Sequence, residues 1–261
     1  MAGSLRDWEE LADWFDKKQG DRGDLWHRAL IDPPVLKLVG YCRGKDILDL
    51  ACGNGYLSRR LAKKGARVTA IDSSPRMLKN AKAHDPRNKL KIRYLRTDAS
   101  RLEGVAGSAF DLVLANMSLM DMEDAEGAIR QVVRVLKKSG RLVASIYHPC
   151  FDTMSNSGWV AEKSVYKPAI VFRKVRAYRT PFTQEVPWRV SDTHRKYTRS
   201  FHRPLNWYAR VLSASGLAIT ALEEPAPTKE FLEAEARKQG DLDAPGFLEV
   251  PLHLVIEAVK M

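Results

Sequence analysis

Ile47-Leu48-Asp49-Leu50-Ala51-Cys52-Gly53-Asn54-Gly55-Tyr56-Leu57-Ser58-Arg59-Arg60-Leu61 decides the fold. Ile47 to Leu50 is a short apolar run and reads as a buried strand. A small-residue turn follows, with glycines at 53 and 55, and Leu57, Leu61 and Ala62 then recur at helical spacing. The order is strand, tight turn, helix. Glycine permits steep turns and close approach of a ligand to the chain, and a helix start offers unpaired N–H groups. Such a turn can hold a polar cofactor against bare backbone, or its glycines can serve geometry alone. Dinucleotide sites carry G-x-G-x-x-G. Here only Gly53 and Gly55 match, and Ser58 stands at the third position, so the dinucleotide reading fits poorly. Asp49 would repel a pyrophosphate and suits a cationic amino-acid ligand.

Further acids stand where the next strands should end. Ala66 to Asp72 reads as a second strand. Asp72 lies 17 positions beyond Gly55, near the roughly 20 residues after a glycine turn at which nucleotide folds put a ribose-binding carboxylate. Ser73-Ser74-Pro75 starts a helix with a serine cap and a first-turn proline, and Met77 and Leu78 follow at a spacing that suits an adenine ring. Leu90–Leu95 is a third strand leading to Thr97-Asp98-Ala99. Phe110–Asn116 is a fourth, followed by Met117, Ser118 and Leu119. Ligands of open α/β sheets sit outside the carboxyl ends of the strands, and all four candidate points, at 49–55, 72, 98 and 116, occupy such ends.

Asp-Leu-Ala-Cys-Gly-Asn-Gly (49–55) resembles motif I of the class I S-adenosylmethionine-dependent methyltransferases, with Ala51 where that motif has its first glycine. Ile-Asp-Ser-Ser-Pro-Arg-Met-Leu (71–78) is similar to the second motif. The resemblance is strong over about residues 40–150. It implies a Rossmann-like α/β fold with a seven-stranded sheet of order 3-2-1-4-5-7-6, strand 7 antiparallel, and S-adenosyl-L-methionine as cofactor. It assigns the methionine part to Asp49, Ala51, Cys52, Gly53, Asn54 and Gly55. The ribose goes to Asp72 with Ser73, the adenine to Met77, Asp98 and Ala99, and the sulfonium region to Asn116 and Met117. Asn-Met-Ser-Leu at 116–119 lacks the prolines and aromatic of the Asn-Pro-Pro-Tyr run, which argues against DNA adenine methylation.

The expected organisation is a helical cap (1–40), a cofactor-binding core (41–150), an insertion (151–203) and a C-terminal completion of the core (204–261). In the cap, Leu5, Trp8, Leu11, Ala12 and Phe15 form an apolar stripe on a helix over 4–18. The cap either packs on the sheet edge or forms a lid in which Trp14 or His27 touches the cofactor. Further on, a helix is expected over Glu123–Lys138 and a fifth strand over Arg141–Tyr147. A helix over Pro204–Ser215, a strand over Leu217–Leu222, a helical stretch over Thr228–Lys238 and a last strand over His253–Val259 complete the chain.

Residues 151–203 break the strand–helix alternation. They are rich in aromatics, including Tyr166, and Ala169–Val175 alternates as an added strand would. Between 160 and 210 there are twelve Lys/Arg against three acids, Glu162, Glu185 and Asp192, and most of the net charge of +11 lies here. Three readings are open: a pocket for an aromatic or anionic small molecule, a platform for RNA bases and phosphates, or a solvated basic face over a small satellite core. The corresponding functions are methyl transfer to an O, N or C atom of a small molecule, methylation of tRNA or rRNA, or cofactor binding without catalysis. Candidate general bases are His148, which closes the fifth strand, then His202, which leads into the helix after the insertion, and His194, with Tyr147 as an orienting group. No metal-ligand spacing occurs. Cys42, Cys52 and Cys150 are unpaired by spacing, and the N-terminus has no apolar signal core, so a cytoplasmic setting is expected. No run approaches the ~18 apolar residues of a membrane span.

Overall fold

The structure, a computed structural model, describes residues 3–162, 170–239 and 244–261. The run before the glycine turn is strand β1 (Asp46–Leu50). It is flanked by β2 (Arg67–Asp72) and β4 (Phe110–Asn116), with β3 (Arg93–Arg96) beyond β2 and β5 (Leu136–Tyr147) beyond β4. All four of these pairings are parallel. The C-terminal strands are β10 (Leu217–Glu223) and β11 (His253–Lys260). β11 enters antiparallel between β5 and β10, giving the order β3-β2-β1-β4-β5-β11-β10. This is the expected Rossmann-like sheet.

Helices α2 (Asp32–Val39), α3 (Tyr56–Lys63), α4 (Pro75–Ala83), α5 (Ala125–Val135), α6 (Leu205–Ala214), α7 (Lys229–Gln239) and α8 (Ala244–Glu249) follow α1 (Gly3–Gln19) along the chain. Strand alternation divides the core. Val113 and Ala115 of β4 join Ile129, Val132 and Val135 of α5 and Val211 and Leu212 of α6. Leu112 and Leu114 of the same strand join Val35, Leu57, Leu61 and Phe231 on the other face. Both faces are therefore buried, as a parallel sheet requires. Ser74 caps α4 as expected, its Oγ accepting from the Met77 amide at 3.0 Å.

The start of β3 and the junction of α5 with β5, which begins at Leu136 rather than Arg141, differ most from the sequence expectation. β3 starts at Arg93 rather than Leu90, because Asp85 accepts from the amides of Lys89 and Leu90 and holds them in a turn. α5 ends at Val135 rather than Lys138. Leu136 pairs with Phe110 and Arg141 with Leu112, so residues 137–140 bulge between the two pairings.

The insertion folds as two hairpins. β6 (Ser157–Glu162) pairs antiparallel with β7 (Ile170–Val175), and β8 (Phe182–Arg189) with β9 (Arg195–His202). The added strand expected around residue 170 is β7. Tyr166, Ala169 and the side chain of Leu5 lie outside the described residues. The second hairpin packs on α1: Trp188 meets Trp8, Trp14 and Phe15 at ring-centroid distances of 5.7, 5.9 and 6.1 Å. Arg199 pairs with Asp7 at 2.9 Å.

Candidate active site

The parallel strands deliver the ends of β1, β2, β3 and β4 to one edge of the sheet, and a cavity of about 630 Å³ opens there. Ligand pockets commonly span about 300–1,000 Å³. Its wall includes Asp49, Ala51, Cys52, Gly53, Asn54, Asp72, Ser73, Met77, Asp98, Ala99, Asn116, Met117 and His27, thirteen of the fifteen residues expected to hold the cofactor. Gly55 and Trp14 do not line it.

The floor of the cavity is built from backbone. Gly53 and Gly55 have φ of +55° and +71°, the left-handed region glycine favours. Ala51, which stands where motif I has its first glycine, shares that conformation at φ +56°. A Cβ on Gly55 would stand 3.1 Å from the Ala81 Cβ and 3.2 Å from the Tyr94 Oη. Gly55 therefore serves packing behind the turn, and Gly53 faces the cavity. Arg59 braces the turn from behind, donating to the Asn54 carbonyl at 2.6 Å and to Asp21 at 3.2 Å. The Asn54 side chain is turned toward the cap, donating to Asp16 and to the Gly20 carbonyl, both at 2.9 Å.

Asp72 ties two elements together. One carboxylate oxygen accepts from the Gly53 amide and the other from the Ser74 amide, both at 2.9 Å. Each oxygen keeps capacity for a further donor, which suits two hydroxyls on one ribose. Burial pushes its carboxyl up to about 6, against the lowering effect of those amides. Asp49, buried under the turn and bonded by the Ser58 hydroxyl, is likewise pushed to about 6 by burial. Burial, with Asp49 and Asp72 nearby, drives the Cys52 thiol well above its ordinary value. Cys52 is thus a neutral wall residue rather than a nucleophile. Asp98 is exposed at the rim and accepts from the amide and hydroxyl of Ser100.

Asn116 is oriented by a relay across four elements. Ser145 Oγ donates to its Oδ1 at 2.6 Å, its Nδ2 donates to the Tyr56 hydroxyl at 3.1 Å, and that hydroxyl donates to Asp32 at 2.9 Å. Arg60 closes the relay on Asp32 at 3.0 Å. The Met117 amide donates to Ser145 Oγ at 2.9 Å, holding Met117 at φ +49° against the cavity. His27 is set by Asp24 at 2.7 Å. Burial would raise the Asp24 carboxyl, but His27 outweighs it and holds the carboxyl well below the usual range.

The lid differs from expectation in its residues. Trp8 and Phe15 of α1 line the cavity. Trp14 instead stacks against Trp188 and Lys18. Residues 8 and 15 are two helical turns apart on one stripe, and residue 14 stands about 100° round from 15.

His148, His202 and Tyr147 also stand elsewhere, and His194 lies apart beside Arg189, Asp192 and Arg195. His148 is buried, bonded to Glu224 at 3.0 Å and accepting from the Cys150 amide at 3.2 Å. His202 bonds the Tyr178 carbonyl at 2.8 Å and stacks on Phe182. Burial lowers both histidines. Tyr147 lines a separate small cavity beside Asp152 and Ser200. Tyr147 ends β5 and His148 follows it, whereas His202 ends β9 in a hairpin apart from the seven-stranded sheet, and none of the three lines the large cavity. No described residue of 151–203 lines the large cavity.

Sequence reading missed Tyr56, Trp8, Phe15 and Asp121 in that wall. The spacing of Trp8 and Phe15 carried a signal for the two aromatics; nothing local marked Asp121. The residues present fit the implied cofactor: a glycine-floored turn, a strand-end carboxylate with acceptor capacity, and an acidic wall for a sulfonium.

The methyltransferase domain family matches residues 48–144. A ubiquinone biosynthesis O-methyltransferase of Coxiella burnetii is 34% identical over 149 residues, covering 53% of this chain and 62% of that protein. The chain thus aligns with less than two thirds of that relative's length. The crystal structure of an S-adenosylmethionine-dependent methyltransferase from Mesorhizobium loti superposes with a TM-score of 0.68 at 26% identity, covering 87% of this chain and 96% of that one. The CcbJ methyltransferase from Streptomyces caelestis shares the fold at a TM-score of 0.67 and 14% identity, covering 99% and 98% of the two chains. Residues 48–144 thus carry a methyltransferase domain, on a fold shared with S-adenosylmethionine-dependent methyltransferases of known structure.

Proposed function

We propose that this protein transfers the methyl group of S-adenosylmethionine to an acceptor atom of a small molecule. The observation that carries the reading is the convergence of Asp49, Gly53, Asp72, Asp98 and Asn116, from four successive strand ends, on one cavity of about 630 Å³. When bound, S-adenosylmethionine supplies a methyl group already activated on a sulfonium. Asp72 would take the ribose hydroxyls, the Gly53 backbone the methionine part, and Met77 and Ala99 the adenine. Trp8 and Phe15 exclude water over the site. The chain's own contribution is chiefly positioning, which can supply several kcal/mol of a barrier.

A small acceptor is favoured over RNA because several of the insertion's cations are engaged within the molecule. Arg199 pairs with Asp7, Arg173 with Asp152, and Arg203 donates to the carbonyls of Leu119, Met122 and Glu123. The name of the Coxiella relative, an O-methyltransferase of ubiquinone biosynthesis, supports a small acceptor too.

The test is transfer of labelled methyl into cell material divided into small molecules, RNA and protein. Label in the small-molecule fraction is expected; label confined to RNA would refute the reading. Asp72→Ala should abolish cofactor binding by calorimetry, and unchanged affinity would refute the site.

A further inference from the structure

Asp121 belongs to a short 3-10 turn, Leu119–Asp121, directly after β4 and Met117. It lines the same cavity, beside Asn116, Met117 and Met122. The turn is fixed from the inserted hairpin. Arg203, buried, donates to the Leu119, Met122 and Glu123 carbonyls at 3.4, 2.7 and 2.9 Å. Ser200 of β9 donates to the Met120 carbonyl at 3.3 Å, and its hydroxyl lowers the Asp121 carboxyl. Asp121 therefore sits where core and insertion meet, on a braced wall, opening into the cavity. Neither His148, His202 nor Tyr147 reaches that cavity.

The groups around it are few. Tyr147 on β5 and Tyr208 on α6 each feel its charge. Arg203, just after β9, is spent on the carbonyls of the turn, Ser200 of β9 neighbours the carboxyl, and Glu123 and Asp124 follow it along the wall. Of the cavity's described lining residues, Arg101 is the one arginine or lysine, and Glu103 accompanies it at 3.9 Å. Asp49, Asp72, Asp98, Asp121, Glu123 and Asp124 are the carboxylates. Burial pushes the Asp121 carboxyl up to about 8, with the Ser200 bond opposing. Proton transfer is most effective from a group that titrates near the working pH.

Resting on the methyl-transfer reading above, we propose that Asp121 is the proton-accepting catalytic residue of the acceptor subsite, and that the acceptor presents an O–H or N–H group on a neutral or cationic small molecule. In the step, the acceptor's O–H or N–H bond breaks and its proton passes to the Asp121 carboxylate. The freed electron pair forms the bond to the methyl carbon, and the carbon–sulfur pair stays on sulfur, leaving a neutral thioether. Asp121 then releases its proton to solvent through the cavity mouth. With Asp49, Asp72 and Asp98 given to the cofactor, an anionic acceptor would still meet Asp121, Glu123 and Asp124 in a confined space, where like charges are poorly screened. The charge balance of the insertion suggested an anionic acceptor; the charge of the cavity itself points the other way.

The full chain is incubated with labelled-methyl S-adenosylmethionine and a heat-treated, ultrafiltered cell extract, unreacted S-adenosylmethionine is removed by chromatography against a no-enzyme control, and the products are passed over an anion exchanger. Label is expected in the unretained, neutral or cationic fraction. Asp121→Asn should lower it by about 10²–10⁴-fold, the usual reach of general-base catalysis, while still binding cofactor by calorimetry. Ser200→Ala, which keeps the carboxyl, should move the rise of rate with pH to higher pH. A separate readout needs no acceptor: carbon-13 NMR of the free protein should show Asp121 titrating well above the ordinary aspartate range near 4. Labelling by Asp121→Asn within threefold of wild type, label held in the retained anionic fraction, or an ordinary Asp121 titration would each overturn the proposal. No label in any fraction with cofactor still bound would refute methyl transfer itself, and this proposal with it. Loss of cofactor binding in Asp121→Asn would assign the residue to the cofactor instead.

Discussion

Backbone conformation at two residues separates this turn from an ordinary glycine loop. Ala51 and Met117 both lie at positive φ, +56° and +49°, and both line the cavity. A left-handed conformation costs a residue with a Cβ about 1–2 kcal/mol, and such strain collects at functional sites. Ala51→Gly should therefore leave stability unchanged or raise it by up to about 1 kcal/mol, since glycine's extra unfolded freedom offsets part of the relief. A loss of more than about 1 kcal/mol in denaturant unfolding would contradict that account. Gly55→Ala runs the opposite way. Its Cβ would press on Ala81 and the Tyr94 hydroxyl at φ +71°. Denaturant unfolding should detect a loss of about 1–3 kcal/mol. Motif I spacing predicted a glycine at 55; the packing of α4 behind it supplies the reason.

Between elements, the contact of α1 with the β8–β9 hairpin closes the site. Trp188 joins Trp8, Trp14 and Phe15, Lys18 stands 5.2 Å from the Trp188 ring centroid, and Trp188 Nε1 donates to the Thr198 hydroxyl at 2.8 Å. Trp188→Ala removes the ring on which α1 rests. For a half-buried tryptophan the expected cost is about 2–3 kcal/mol, below the 3–5 of a fully buried one. Because Trp8 and Phe15 line the cavity, cofactor affinity should fall with it, and limited proteolysis should cut near α1 sooner. Unchanged cofactor affinity alongside the stability loss would separate the hairpin from the lid. The basic aromatic character of the insertion was legible in the sequence. Its purpose was not, because its rings and cations act on partners far away in the chain, such as Arg199 on Asp7.

Across the whole molecule, buried carboxyls set the pH response. Asp49 and Asp72 titrate at about 6 and Asp121 at about 8, each raised chiefly by burial. A carboxyl raised in the folded state keeps a proton that the unfolded chain has already released. Its contribution is complete below about pH 4 and is lost as pH climbs through the folded value. His148, His202 and His253 are lowered by burial and act in the opposite sense, costing stability as pH falls below about 6.5. Above pH 7 the histidines are neutral in both states, and of these groups Asp121 is the main one still titrating. The melting temperature of the cofactor-free protein should therefore fall between pH 7 and 9, and the fall should be much smaller in Asp121→Asn. A flat wild-type profile over that interval would place the Asp121 carboxyl in water.

Local patterns were enough to specify the sheet and the edge at which its strand ends meet. Asp49, Gly53, Asp72, Asp98 and Asn116 are each marked by neighbours within a few residues: an apolar run before, a turn or cap after. Parallel strands then carry such ends to one side whatever else the chain does, so local patterns sufficed. The tertiary structure alone decided what faces the cofactor edge from outside the motifs. It chose Trp8 and Phe15 over Trp14 and turned His148, His202 and Tyr147 away. It also brought Asp121 to the wall under a hairpin some 80 residues later in the chain. These outcomes depend on which distant surfaces bury one another, and packing of that kind leaves no periodic trace in the residues it recruits.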